Sequence, residues 1–225
     1  MASRRGLHGA VVDDLGTRIV NGTIAPGTAL SLDDLGEDYG VSRTVIRETI
    51  RVLEAKGLIV ARQNVGTRVL GPASWHALDV DILRWRLASA GKRSARRDLL
   101  ELRSAVEPAA ARLAANRTNP ASAEKLMAAA EGMRHALDAD DVGAFTAADV
   151  DFHTNLFDAT ENPLIAALLS LVRAALDDRI ATVEDHGISA QAVELHQALA
   201  EAVAAGDANR AGRIAEELIL SSSEP

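Results

Sequence analysis

The stretch "YGVSRTVIRETIRVLEAKGLI" (Tyr39–Ile59) decides the fold. Arg43, Arg47 and Arg51 recur every four residues, so on a helix they share one face. Ile46, Ile50 and Leu53 share another, at the spacing of a buried stripe. Gly40 ends whatever helix precedes it, and Ser42 is a good N-cap for the one that follows. A short helix, a tight turn and an amphipathic helix with a basic outer face follow one another directly, which is the pattern of a helix-turn-helix.

Working outward on both sides completes the unit. Upstream, Val11, Val12, Leu15 and Ile19 set a helical stripe that stops at Asn21-Gly22. "TIAPGTAL" (Thr23–Leu30) reads as an extended piece broken by a Pro-Gly turn, and Leu32–Tyr39 as a second short helix. The third helix runs from Ser42 to about Lys56. Downstream, the β-prone runs Leu58–Ala61 and Thr67–Leu70 flank a turn at Gln63-Asn64-Val65-Gly66, a hairpin signal. Three helices and a hairpin over residues 1–70 predict a winged helix-turn-helix.

Charge supports a DNA reader in spite of the overall balance. The 225-residue chain carries a net charge of −8. Residues 1–70 hold nine Lys/Arg against eight Asp/Glu, whereas residues 71–225 hold fifteen against twenty-four. Between Ser42 and Arg62 there are five basic residues and two acidic ones, a basic patch on an acidic body. Within the third helix, Arg43, Thr44 and Arg47 occupy the first two turns, where such a helix reaches base edges. Ser42 and the helix start suit phosphate. Asn64 and Gly66 suit a wing tip that needs unusual backbone angles. Three arginines alone would more often mark a solvated face; the turn and hairpin around them favour double-stranded DNA.

"GPASW" (Gly71–Trp75) opens a linker, and residues 71–93 are expected to hold that linker and one short connecting helix. Trp75 and Trp85 bracket it and are expected to pack the two domains together. Residues 94–225 read as helix throughout: Ala95–Asn116, Ala121–Ala139, Val142–Thr160, Leu164 to about Val183, Ser189–Ala205 and Asp207–Leu220. The fold is therefore mainly α, a winged helix-turn-helix followed by an all-α bundle of six or seven helices that could also serve as a dimerisation scaffold. A hydrophobic content of 48% with only 3% aromatics favours packed helices over a β-sandwich. There are no cysteines, which excludes disulfides and thiolate metal sites. No apolar run approaches the ~20 residues of a membrane span. The first residues meet Asp13 and Asp14 before a signal sequence could form, so a cytoplasmic location is expected.

Two constellations in the helical part carry chemistry. Asp149 and His153 are four apart on one helix, half of a divalent metal site, with His196 on a later helix beside Leu195 and Leu199. The plainer alternative is partly buried histidines hydrogen-bonded to Asp149. Arg103 falls on the inward stripe Leu99, Val106, Ala110 and Leu113, and a buried arginine needs an anionic partner. Glu107 one turn on could supply it, or a carboxylate effector could, gripped in bidentate fashion, the two alternating as the ligand comes and goes. Asn155 and Asn162 are further polar candidates for the same cavity. A metal-dependent enzyme using Asp149, His153 and His196 is the rival reading. It lacks an obvious general base, a nucleophile motif and a Gly-rich phosphate loop, so no enzymatic activity is expected.

"GTIAPGTAL", "LGEDYGVSRTVIRETIRVLEAKGLI" and "RQNVGTRV" make the first domain resemble the GntR family of bacterial transcription regulators. Asn64 stands where the wing usually has glycine, and Asp33 where some members place a DNA-contacting arginine. "LLELRSAVEPAAARLAANR", "DVDFHTNLFDATENPLI" and "ELHQALAEAVAAGDANRA" resemble the all-helical FCD effector domain of the FadR-type subgroup. "SWHALDVDILRWRL" looks like the branch sensing sugar acids such as gluconate or galactonate. The resemblance implies a homodimeric repressor that reads a pseudo-palindromic operator and leaves it on binding a sugar acid or other small carboxylate. It implies that Asp149, His153 and His196 hold zinc, nickel or manganese, and that Arg103 contacts the acidic effector. The family's remaining histidine ligand, on the last helix, falls at Leu218 here; a slipped register would offer Glu217.

Overall fold

In the computed structural model, described residues are 6–62, 66–117 and 119–221. The chain divides into two compact units after Ala95.

The first unit begins with α1 (Leu7–Val20), which buries Val11, Val12, Leu15 and Ile19. A two-residue strand β1 (Ala29–Leu30) follows the Pro26-Gly27 turn, where Gly27 takes a φ of 86°. Helix α2 (Leu32–Tyr39) is capped by Ser31, whose hydroxyl accepts from Asp34 N–H, and it ends in left-handed Gly40. Helix α3 (Arg43–Ala55) is capped by Ser42 and turns Ile46, Thr49, Ile50 and Leu53 inward. Strands β2 (Ile59–Arg62) and β3 (Gly66–Val69) form the hairpin, and β1 pairs with β3, giving an antiparallel sheet in the order β1-β3-β2. The register pairs Ile59 with Val69 and Ala29 with Arg68.

Helix α4 (Val80–Leu87), capped by Asp79, belongs to this unit. Its Ile82 and Trp85 enter the core formed by Leu15, Ile46, Leu53 and Leu58. Trp85 lies so close to Gly16 of α1 that a Cβ there would stand 2.5 Å from the ring. Lys56 donates to Asp79 at 2.8 Å and to Asp81 at 2.9 Å, and its Nζ lies 5.9 Å from the centre of the Trp85 ring. Trp75 donates its indole N–H to the carbonyl of Leu70. Both tryptophans thus pack within the first unit.

The second unit is helical: α5 (Lys92–Arg117, entering from the first unit), α6 (Pro120–Asp138), α7 (Val142–Asp158), α8 (Pro163–Ala167), α9 (Leu169–His186), α10 (Ala190–Ala204) and α11 (Ala208–Ser221). Its core is rich in alanine (Ala111, Ala115, Ala130, Ala200, Ala211, Ala215) around Phe152, Leu156, Met133 and Leu126. Small side chains let helix axes approach closely, which is how a chain with so few aromatics fills its interior. The segment read as one helix from Leu164 is two. At Leu168 the hydrogen bonds tighten to i→i−3, while its backbone (φ −77°, ψ −12°) stays helical.

Candidate DNA-binding face and buried ligand site

On the first unit, α3 presents Ser42, Arg43, Thr44 and Arg47 to solvent together. Ser42 Oγ accepts from Val45 N–H, leaving neighbouring amides at the helix start. The arginines differ in their commitments. Arg43 gives Nε–H and Nη2–H to the two carboxylate oxygens of Asp33 on α2. Arg51 donates to Glu48 at 2.6 Å. Arg47 carries no ion pair among the described residues. Gly66 opens β3 with a φ of 83°, and Asn64 lies outside the described residues. Asp33, which stands where some members of the resembled family place a DNA-contacting arginine, pairs instead with Arg43 across the turn.

In the second unit the structure brings Asp149, His153 and His196 together, all buried. One donor atom from each lies within 4.8 Å of the others. Asp149 Oδ1 is 3.1 Å from His196 Nε2 and 3.5 Å from His153 Nε2. Edges of a shell with ~2.1 Å metal–ligand bonds are about 3.4 Å, so the donor set suits a small divalent ion. His196 Nδ1 lies 2.7 Å from the carbonyl of Ala192, and a proton held there leaves the Nε2 lone pair facing Asp149. Asp149 Oδ1, His153 Nδ1 and His196 Nε2 are buried with no aligned hydrogen-bond partner among the described residues. Each such atom costs about 1–3 kcal/mol unless something satisfies it. A divalent cation would be held by Asp149 Oδ1 and His196 Nε2 together.

Around this cluster lies a charged shell. Arg103 is 4% exposed and donates Nε–H to Glu107 at 2.5 Å, so in this state its partner is the internal one. The other oxygen of Glu107 lies 3.2 Å from His153 Nδ1, orienting the ring as carboxylates orient metal-bound histidines. Burial by itself would raise the Glu107 pKa, but His153 and Arg103 outweigh it and hold it down at about 2. Burial would lower His153; the carboxylates of Glu107 and Asp149 prevail and raise it to about 9. Asp149, likewise opposed by burial, is held well below the usual carboxylate range by the two histidines.

Other expected members are not gathered here. Leu218 is 3% exposed and packs in the apolar core, while Glu217 points to solvent, so α11 offers the cluster no donor at either position. Asn162 caps α8, its side chain accepting from Leu164 N–H. Asn155 is half-buried on α7, two residues from His153 and therefore on another face of the helix. Arg179 on α9 was missed. Half-buried, it feels the charges of Asp149, Arg103 and Glu107, and it has no ion pair among the described residues. Its place on the stripe Val172, Leu176, Arg179 is the same signal that singled out Arg103.

Comparison with known proteins agrees with this division of labour. Residues 7–69 match the family model described as bacterial regulatory proteins, gntR family, and residues 98–221 match the FCD domain. The galactonate operon transcriptional repressor of Escherichia coli is 31% identical over 217 residues, covering 95% of this chain and 93% of its own. The HTH-type transcriptional regulator LutR of Bacillus subtilis is 31% identical over 203 residues, covering 86% and 89%. Among solved structures, a Streptococcus agalactiae GntR protein superposes with a TM-score of 0.53 at 25% identity, covering 95% of this chain and 97% of that one. The Listeria monocytogenes protein Lar shares the fold with a TM-score of 0.61 at 21% identity, covering 98% and 96%. The chain belongs to the gntR family of bacterial regulatory proteins: it is a ligand-responsive, DNA-binding regulator of transcription with an FCD domain, and not an enzyme.

Proposed function

We propose that the protein is a cytoplasmic, homodimeric repressor of genes for the catabolism of a sugar acid or similar small carboxylate. In this reading two winged units bind the halves of a pseudo-palindromic operator through Ser42, Arg43, Thr44, Arg47, Asn64 and Gly66. Asp149, His153 and His196 hold a divalent ion (zinc, nickel or manganese), which supplies a Lewis-acidic centre for a carboxylate oxygen. Leu218 leaves part of that ion's shell to water or effector. Arg179, and Arg103 when released by Glu107, provide the cationic walls. The effector weakens DNA binding by preferring a dimer geometry that no longer matches the half-sites.

The observation that carries this reading is the buried Asp149–His153–His196 cluster, in which Asp149 Oδ1 and His196 Nε2 have no aligned hydrogen-bond partner among the described residues, beside Arg179, which has no ion pair among those residues. The galactonate repressor's likeness, at 31% identity, supports the sugar-acid class. The test is a DNA-binding titration on the region upstream of the protein's own gene, at fixed salt, with a panel of sugar acids and with or without EDTA. Release by one sugar acid, abolished by EDTA and by Arg179→Ala, is expected. Specific binding that no carboxylate weakens would overturn the effector assignment, and release unaffected by EDTA would overturn the metal.

A further inference from the structure

Resting on the reading of α3 as the base-reading helix, we propose that Asp33 is a positioning residue for DNA recognition: it clamps the side edge of Arg43 so that the free end of the guanidinium reads guanine. The atoms involved carry the inference. A guanidinium has two usable forks, the side edge (Nε–H with Nη2–H) and the end (Nη1–H with Nη2–H). Asp33 takes the side edge with both carboxylate oxygens. The end fork stays available on a side chain that is 70% exposed, at the first residue of α3. Two parallel N–H groups at that end match the O6 and N7 acceptors of guanine.

An exposed ion pair adds little to folding stability. Its effect here is on recognition, because a flexible arginine held in one orientation loses less freedom on binding. The backbone of Asp33 is held in the first turn of α2, whose entry is set by the Ser31 cap and whose exit is set by left-handed Gly40. The carboxylate also opposes non-specific attraction to the phosphate backbone. Asp33 therefore favours a guanine-containing site over other DNA in two ways, by orienting its reader and by penalising sequence-independent binding.

The experiment uses the full-length chain and a random double-stranded DNA library, from which the wild type selects a consensus site. Binding is then measured at one salt concentration to that site and to its single-base variants, for wild type, Arg43→Ala, Asp33→Ala and Asp33→Asn. Arg43→Ala should erase the preference for guanine at one position in each half-site. Asp33→Ala and Asp33→Asn should weaken that same preference about five- to tenfold, with preferences elsewhere unchanged and an unaltered melting temperature. If both Asp33 variants keep the full guanine preference while Arg43→Ala loses it, Asp33 positions nothing and the proposal falls, while the reading of α3 stands. If Arg43→Ala itself changes no preference, α3 does not read bases through this residue and both fall.

Discussion

Replacing Glu107 by glutamine should destabilise the second unit by roughly 3–5 kcal/mol at pH 7 in EDTA. Glu107 is 1% exposed, with Arg103 on one oxygen and His153 on the other. Glutamine keeps the shape and removes the charge, which leaves the buried Arg103 guanidinium without its hydrogen-bonded carboxylate. The pKa gives an independent magnitude: a carboxylate brought from 4.5 down to about 2 is favoured in the folded state by about 3 kcal/mol. Because the folded value is depressed, that stability is fully present above pH 4.5 and is lost as the pH falls toward 2. The wild-type advantage over Glu107→Gln should therefore shrink between pH 5 and pH 2. Urea unfolding followed by far-UV circular dichroism reads both units. Tryptophan fluorescence reads only the first, since Trp75 and Trp85 both lie there. A double variant, Arg103→Met with Glu107→Leu, should recover much of the loss, because a buried pair replaced by apolar groups is often neutral. A cost for Glu107→Gln below 1 kcal/mol at pH 7, or one that does not change with pH, would refute this account.

Gly16→Ala should destabilise the first unit by about 1–3 kcal/mol in thermal unfolding, because the added methyl meets the Trp85 ring and that overpacking exceeds the gain of up to ~1 kcal/mol in helix propensity. Thr49→Val should raise the stability of the same unit by about 1 kcal/mol, since the Thr49 hydroxyl is fully buried with no hydrogen-bond partner among the described residues and valine has the same branched shape. Zinc at one hundred times its dissociation constant should raise the melting temperature of the EDTA-stripped protein by about 10 °C, and His196→Ala should remove that rise. Calorimetry checks all three.

The helices were legible because their signals are local. Ser31, Ser42, Asp141 and Ser189 each cap the helix that the apolar period announces, so element starts agree to within a residue or two. What escaped was tertiary. The break at Leu168 leaves helical backbone angles and marks itself by no glycine or proline at that residue. The packing of Trp85 on Gly16 escaped because nothing local announces it, although a glycine inside a helical pattern often has a packing reason. The site was half legible. Asp149 and His153 share a face by spacing alone, whereas the contact of Glu107 with His153 joins α5 to α7 and is written in neither helix.

Charge balance explains why a site with this donor set would select an anion. Without metal, His153 is raised to about 9 and is cationic at neutral pH, so Arg103, Arg179 and His153 face Glu107 and Asp149 with one positive charge in excess. The proton on His153 does part of what an ion would do there, satisfying two carboxylates. A divalent ion must displace that proton before the ring can ligate. In the proposed loaded state the exchange of one positive charge for two leaves the interior with a net of two. An interior with two uncompensated charges is costly unless anionic ligands neutralise them. A carboxylate entering beside Arg179 would neutralise one, and its oxygen would fill the shell that Leu218 leaves incomplete. A neutral sugar would fill the same space and leave the charge, so discrimination between a sugar and its acid follows from electrostatics before any hydroxyl is read.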